Sequence, residues 1–338
     1  MQNIPLTVYL RIAALSMAAL SLVYVANNFL IFWWGWPGLN VLFADLEWFW
    51  LEPLRQPLNG NLPLLGWLQV LFYFSTIAAI AVFVWRSQER TLVQDSKILD
   101  ALVGYIIRSA FWAVLLIGVV DMAISFLRVE GLLVQVVGTD FAKDLGRSVY
   151  RGANIHYPLI AIGFVIGYFT RTLGFIWLAL LIVIAELLIV VTRFIFSYEQ
   201  AFMGDLVRFW YAALFLFASA YTLVEEGHVR VDILYTGFSE RGKAWSNVIG
   251  SLLLGLPLCW IFLTRGLLGK SNLINAPLLT YEVTQSGYGL YVKYIMAGFL
   301  LIYGVSMLIQ FTSYFLSNAA ILIHERGAHT HKEHPGSV

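Results

Sequence analysis

Two carboxylates stand where a carboxylate is costly. Asp121 lies in the apolar run Leu115 to Ile124 and Glu186 in the run Ile182 to Val190. An ionised acid at mid-bilayer costs about 2.5–3.5 kcal/mol even on lenient insertion scales, so each needs protein or water around it and a partner. Two chemistries suit such residues. One is a proton or sodium relay, which normally needs convergent acids or broken helices near the midplane. The other is structural pairing with a base. Only two isolated carboxylates are visible, so pairing is the expectation. An alternating topology puts Arg151 and His156 at the depth of Asp121, which makes one or the other its predicted partner. Glu186 has Arg193 seven residues on, two turns along the same face and about 10.5 Å up the axis. Its alternative is burial against a partner subunit, protonated or hydrogen-bonded by desolvation.

The remaining polar residues of interest sit at the ends of apolar runs. Arg193 closes one run, and Asp205 precedes the next, Leu206 to Leu223, with the chemistry of a helix N-cap. His228, Arg230 and Asp232 follow that run, and Glu282 and Ser286 precede the last one. Beyond Asp232, Ile233, Leu234 and Phe238 oppose Glu240, Arg241 and Lys243, which suits a short helix in the membrane interface. Four of the six histidines lie in the polar tail from His324, which reads as solvated. His228 is at a boundary and only His156 is near a span, so the axial pairs a haem needs are not offered. A membrane enzyme needs clustered titratable groups facing a cavity, and no such cluster is evident. The single cysteine, Cys259, reads as a small core hydrophobe. The expectation is therefore no catalytic residue, metal or cofactor in this chain.

The elements that must position these residues follow from composition. The chain has 338 residues, 60% apolar and 12% charged. Soluble domains run nearer 45–50% and 25%. The mean hydropathy is +0.77, and one globule cannot hide that much apolar surface from water. A net charge of +1 gives no electrostatic case for nucleic acid. A span needs about 20 apolar residues, and runs near 8–32, 64–86, 104–127, 153–170, 173–196, 206–226, 246–265 and 290–316 meet or approach that length. The first is too long for a signal peptide and reads as a retained span. The fourth is short and carries His156; a broken or re-entrant helix there would make the count seven. No Gly/Pro-interrupted spans are seen in matching halves. Backbone groups must be satisfied within the bilayer, and the runs lack barrel alternation. The predicted fold is an all-α integral membrane protein with about eight transmembrane helices and short interfacial amphipathic helices. Trp33, Trp34, Trp36, Trp48 and Trp50 mark an aromatic belt and a surface helix between the first two spans.

The boundary residues carry a family resemblance. An Arg closing one core helix, an acidic pair opening the next (here reduced to a single acid), and a His-x-x-x-Asp after it resemble the small membrane subunit of tripartite ATP-independent periplasmic (TRAP) transporters. Here these are Arg193, Asp205, and His228 with Asp232. The resemblance covers about residues 173–320, four spans. The chain departs from the usual Trp-x-Glu-Glu with Phe202-Met203-Gly204-Asp205, and has Ala218 where Gly is usual. Residues 1–172 look like the extension of long small subunits, and 323–338 form a polar tail. The resemblance implies a brace for a large elevator-type permease in a bacterial or archaeal inner membrane. Its partners are then that permease, membrane lipid and, transiently, a periplasmic substrate-binding protein. Sodium and an organic acid or related solute bind in the large subunit. Both termini face the cytoplasm. Arg193, Asp205, His228, Arg230 and Asp232, with Glu186, Asp121, His156 and Glu282, become structural or subunit-interface candidates. The competing reading is a self-sufficient ion-coupled transporter or channel using Asp121 and Glu186.

Overall fold

The apolar runs fold as the bilayer argument requires, each into a helix that satisfies its own backbone. The computed structural model describes residues 6–171, 175–198, 200–224, 235, 237–284, 289–325 and 327–328. The helices are α1 (Leu6–Trp34), α2 (Leu39–Asp45), α3 (Leu62–Arg86), α4 (Leu92–Val129), α5 (Leu133–Val137) and α6 (Thr139–Leu145). They continue with α7 (Ser148–Phe169), α8 (Phe175–Ile195), α9 (Ala201–Val224), α10 (Glu240–Leu267), α11 (Asn275–Thr280) and α12 (Lys293–Leu322). Among the described residues eight helices are long and apolar enough to cross a membrane, namely α1, α3, α4, α7, α8, α9, α10 and α12.

Two helices carry a π turn. In α7 it covers Gly152–His156 and in α10 Ser251–Gly255. Each ends two residues before a proline, Pro158 or Pro257. Proline donates no hydrogen bond and its ring presses on the preceding turn. A widened turn absorbs that misfit without breaking the helix. The fourth span is thus continuous, and the count among the described residues is eight.

Helix α4 runs 38 residues, about 57 Å, and starts twelve residues before the predicted span. The polar stretch expected as a link is helical because its charges find partners. Asp95 accepts from Arg11 Nε at 2.6 Å. Asp100 accepts from Gln310 Nε2 at 2.9 Å and Ser313 Oγ at 2.6 Å. Its first free N–H groups, on Leu92 and Val93, donate to the Glu325 carboxylate at 3.0 and 3.3 Å. An anion there satisfies orphan donors and favours the helix dipole.

The chain forms two compact units. One takes Met1–Asp100, Val229–Phe262 and Leu308–Val338. Inside it Arg11, buried in α1, also donates to the Ser87 carbonyl at 2.7 Å, tying α1 to the turn after α3. Gln69 of α3 donates to Asn27 of α1 at 2.7 Å and accepts from Gly38 N at 2.9 Å. Between α2 and α3, Glu47, Phe49 and Trp50 adopt left-handed backbone, and Trp50 is fully exposed.

The other unit takes Ala101–His228 and Leu263–Met307. Its core is aromatic: Phe111, Phe209, Phe217 and Phe299 form ring contacts of 5.1–5.6 Å. Gly163 and Gly167 bring α7 against α4. A Cβ at Gly163 would lie 2.7 Å from Ala113 N, and one at Gly167 2.5 Å from Ser109 Oγ. Without a hydrophobic drive between helices in lipid, such close backbone contact supplies the attraction.

Candidate functional site

The π turn of α7 builds the main polar cluster. In an α-helix residues five apart point to different sides, whereas i→i+5 bonding sets them one turn apart on one side. Arg151, just before the turn, and His156, its last residue, therefore both reach Asp121 of α4. Asp121 Oδ1 accepts from Arg151 Nη1 at 2.8 Å and lies 3.1 Å from His156 Nε2. Its Oδ2 accepts from Tyr291 N at 2.8 Å. Arg151 spends its other donors on the Leu145 carbonyl, at 3.0 and 2.8 Å. Its guanidinium also lies 4.2 Å from the centre of the Tyr291 ring. His156 Nδ1 is 2.8 Å from the Tyr294 hydroxyl. Donation of Nε2–H to Asp121 and of the tyrosine O–H to Nδ1 satisfies a neutral imidazole and adds no further buried charge.

Asp121, Arg151 and His156 are all fully buried. The sequence suggested one base or the other; the structure supplies both, and adds a backbone donor and two tyrosines. Tyr291 and Tyr294 lie far along the chain, and no local pattern pointed to them. Pro158 was the available signal for the π turn. Chemically the cluster is saturated. Both carboxylate oxygens are engaged and none of the acid meets water, so it holds α4, α7 and the start of α12 together.

Asp205 departs from the N-cap expectation. Helix α9 begins four residues earlier, because Phe202 and Leu206, one turn apart, both bury on the same face. Asp205 instead points its buried carboxylate at the segment before α12. Its Oδ2 lies 3.2 Å from both the Thr284 hydroxyl and Leu290 N. Glu282, on the same segment, pairs with Lys293 at the first turn of α12. Arg193 is exposed in the last turn of α8. His228, Arg230, Asp232 and Ser286 lie outside the described residues, as do His329, His331 and His334 of the tail.

Glu186 is exposed on α8 and has no hydrogen-bond or ion-pair partner among the described residues. The same-helix pairing with Arg193 is not made, since two helical turns exceed the reach of an ion pair. Asp121 and Glu186 therefore do not share a site. A groove of ≈ 400 Å³ is lined by Met122, Phe126, Leu188, Thr192, Phe202 and Met203 among others, and neither acid is in its lining. Beside it Glu130 accepts from Tyr198 Oη and from Gln200 Nε2, the latter at 3.1 Å. The Tyr198 hydroxyl is raised above the usual tyrosine range, chiefly because it donates a hydrogen bond to the Glu130 carboxylate. Among the described residues no group of three or more His, Cys, Asp or Glu side chains is placed to hold a metal ion.

Among the described residues, eight helices apolar enough to cross a membrane, with Arg11 paired to Asp95 and Arg151 to Asp121 in their interior, define a polytopic α-helical membrane protein. Residues 180–320 match the family model of tripartite ATP-independent periplasmic transporters, DctQ component. Over that stretch the chain is similar to the small membrane component of TRAP transporters, the family that the boundary residues resemble. No curated protein and no solved structure matches the chain.

Proposed function

We propose that this chain braces the large permease of a three-part importer. A periplasmic protein binds an organic acid or related solute and delivers it. The large permease carries the solute with sodium. The present chain stabilises the stationary part of that permease and offers surface to the binding protein. The match over residues 180–320 carries this reading. The saturated, water-free surroundings of Asp121 support it, since an ion path needs a carboxylate that can exchange partners. Arg193, His228 and Asp232 then set helix ends and subunit register in an inner membrane, with both termini cytoplasmic.

The test is reconstitution. Liposomes holding this chain, its co-encoded large permease and the binding protein are expected to take up solute down a sodium gradient. Omitting this chain should abolish uptake, and the chain alone should give none. Uptake by the chain alone would establish the self-sufficient transporter instead.

A further inference from the structure

Helix α8 has two unlike faces. Leu178, Ile182 and Ala185 form a buried stripe that packs on α9. On the opposite side Ile176, Leu180, Val183, Leu187, Val190 and Phe194 are all exposed. Their steps of four and three residues make a heptad seam, the pattern by which one helix receives another. Apolar exposure alone does not separate lipid from protein, because either would cover it. Glu186 does. It flanks the seam beside Val183, Leu187 and Val190, ten residues from Ile176 and nine from Ile195. That puts it about 15 and 13.5 Å from the two ends, at the middle of a hydrocarbon core roughly 30 Å thick. A glutamate side chain is too short to reach the headgroups from there, and it has no partner among the described residues of its own chain.

We propose that the exposed seam of α8 seats a transmembrane helix of the large permease, and that Glu186 takes a basic side chain from that helix. The inference rests on the reading of this chain as a permease-bracing subunit. Lipid on this face would leave a carboxylate in hydrocarbon with nothing to offset its lost hydration. A partner base offsets it, and a charge at the edge of a heptad seam also selects partner and register. Two buried acids of this chain already follow that rule: Asp95 is paired with Arg11 and Asp121 with Arg151. Glu186 is a half-site of the same kind whose other half is supplied by a second polypeptide.

The experiment is co-purification of the tagged full-length chain with its co-encoded large permease from membranes. A photo-crosslinking amino acid at Leu187 is introduced in parallel, with Glu186 intact. The wild-type chain should recover the permease near one to one, and the Leu187 probe should crosslink to it. Glu186→Gln, which keeps the shape and loses the charge, should lower recovered permease at least tenfold, while Glu186→Asp retains most of it. Because Glu186 makes no hydrogen bond or ion pair among the described residues of its own chain, the Gln variant should elute and unfold like wild type. Full recovery with Glu186→Gln would overturn the charge pairing and leave the subunit reading intact. A Leu187 crosslink to lipid or to a second copy of this chain would overturn the seat. Failure of the wild-type chain to recover any permease would instead remove the subunit reading itself.

Discussion

Replacing Asp121 by leucine removes the acceptor on which the α7 π turn converges. Arg151 would keep its two bonds to the Leu145 carbonyl, with Ser125 Oγ at 3.4 Å, but its charge would lie in a fully buried site without a counter-ion. Breaking a buried pair from one side costs about 3–5 kcal/mol. The Tyr291 N–H would also lose its acceptor, an orphan worth about 1–3 kcal/mol. The double variant Asp121→Leu with Arg151→Met removes the stranded charge and leaves only the orphaned polar groups. It should therefore sit about 1–3 kcal/mol below wild type, recovering roughly 2 kcal/mol or more of the single-variant loss. Denaturant unfolding in detergent, followed by circular dichroism, measures both. Uptake by the reconstituted complex adds a second readout: a brace predicts that transport returns with stability in the double variant. A single variant within about 1 kcal/mol of wild type would refute the reasoning. So would a double variant that folds stably yet transports nothing, since that is the signature of an ion-coupling carboxylate.

Gly163→Val forces a side chain against the Ala113 backbone, where a Cβ would already lie 2.7 Å from the nitrogen. Backbone cannot swing aside as a side chain does, so a loss of about 1–3 kcal/mol is expected in the same unfolding assay. Asp205→Ala should cost about 1–3 kcal/mol by orphaning the Leu290 N–H; faster amide hydrogen exchange at Leu290, with slow exchange kept in the core of α12, is the specific sign. Tyr198 should ionise above the usual tyrosine range because its hydroxyl donates a hydrogen bond to the Glu130 carboxylate. With the folded-state value raised, that contact contributes stability below the unfolded tyrosine pKa and loses it as pH climbs through the folded value. Labelled-tyrosine NMR should show the Tyr198 titration shift to lower pH in Glu130→Gln.

The membrane class was legible from residue content, because the length and apolarity of a span are sums over neighbours in sequence. The resemblance could be read for a related reason: Arg193 closes one apolar run, Asp205 precedes the next and the His228-to-Asp232 motif follows it, and that order survives without any knowledge of packing. Local terms also required that Asp121 be paired, since the cost of a bare acid depends only on where it sits in the run. Which groups pair it depended on helix rotation and crossing. A π turn set Arg151 and His156 on one side of α7, and Gly163 and Gly167 drew α7 against α4. The Gly-x-x-x-Gly spacing was in plain sight, but its partner helix was not.

Asp205 and Glu186 mark the same divide. N-cap chemistry depends on where a helix starts, and burial of Phe202 moved that start upstream, leaving Asp205 to hold a loop from another part of the chain. Glu186 lies in as apolar a run as Asp121, so hydropathy treats the two acids alike. Tertiary structure separated them, sealing one among donors from α7 and the segment before α12 and leaving the other on the outer face of α8. Sequence composition sets how much polar chemistry the membrane must accommodate; only packing decides whether its partner lies within this chain or on another.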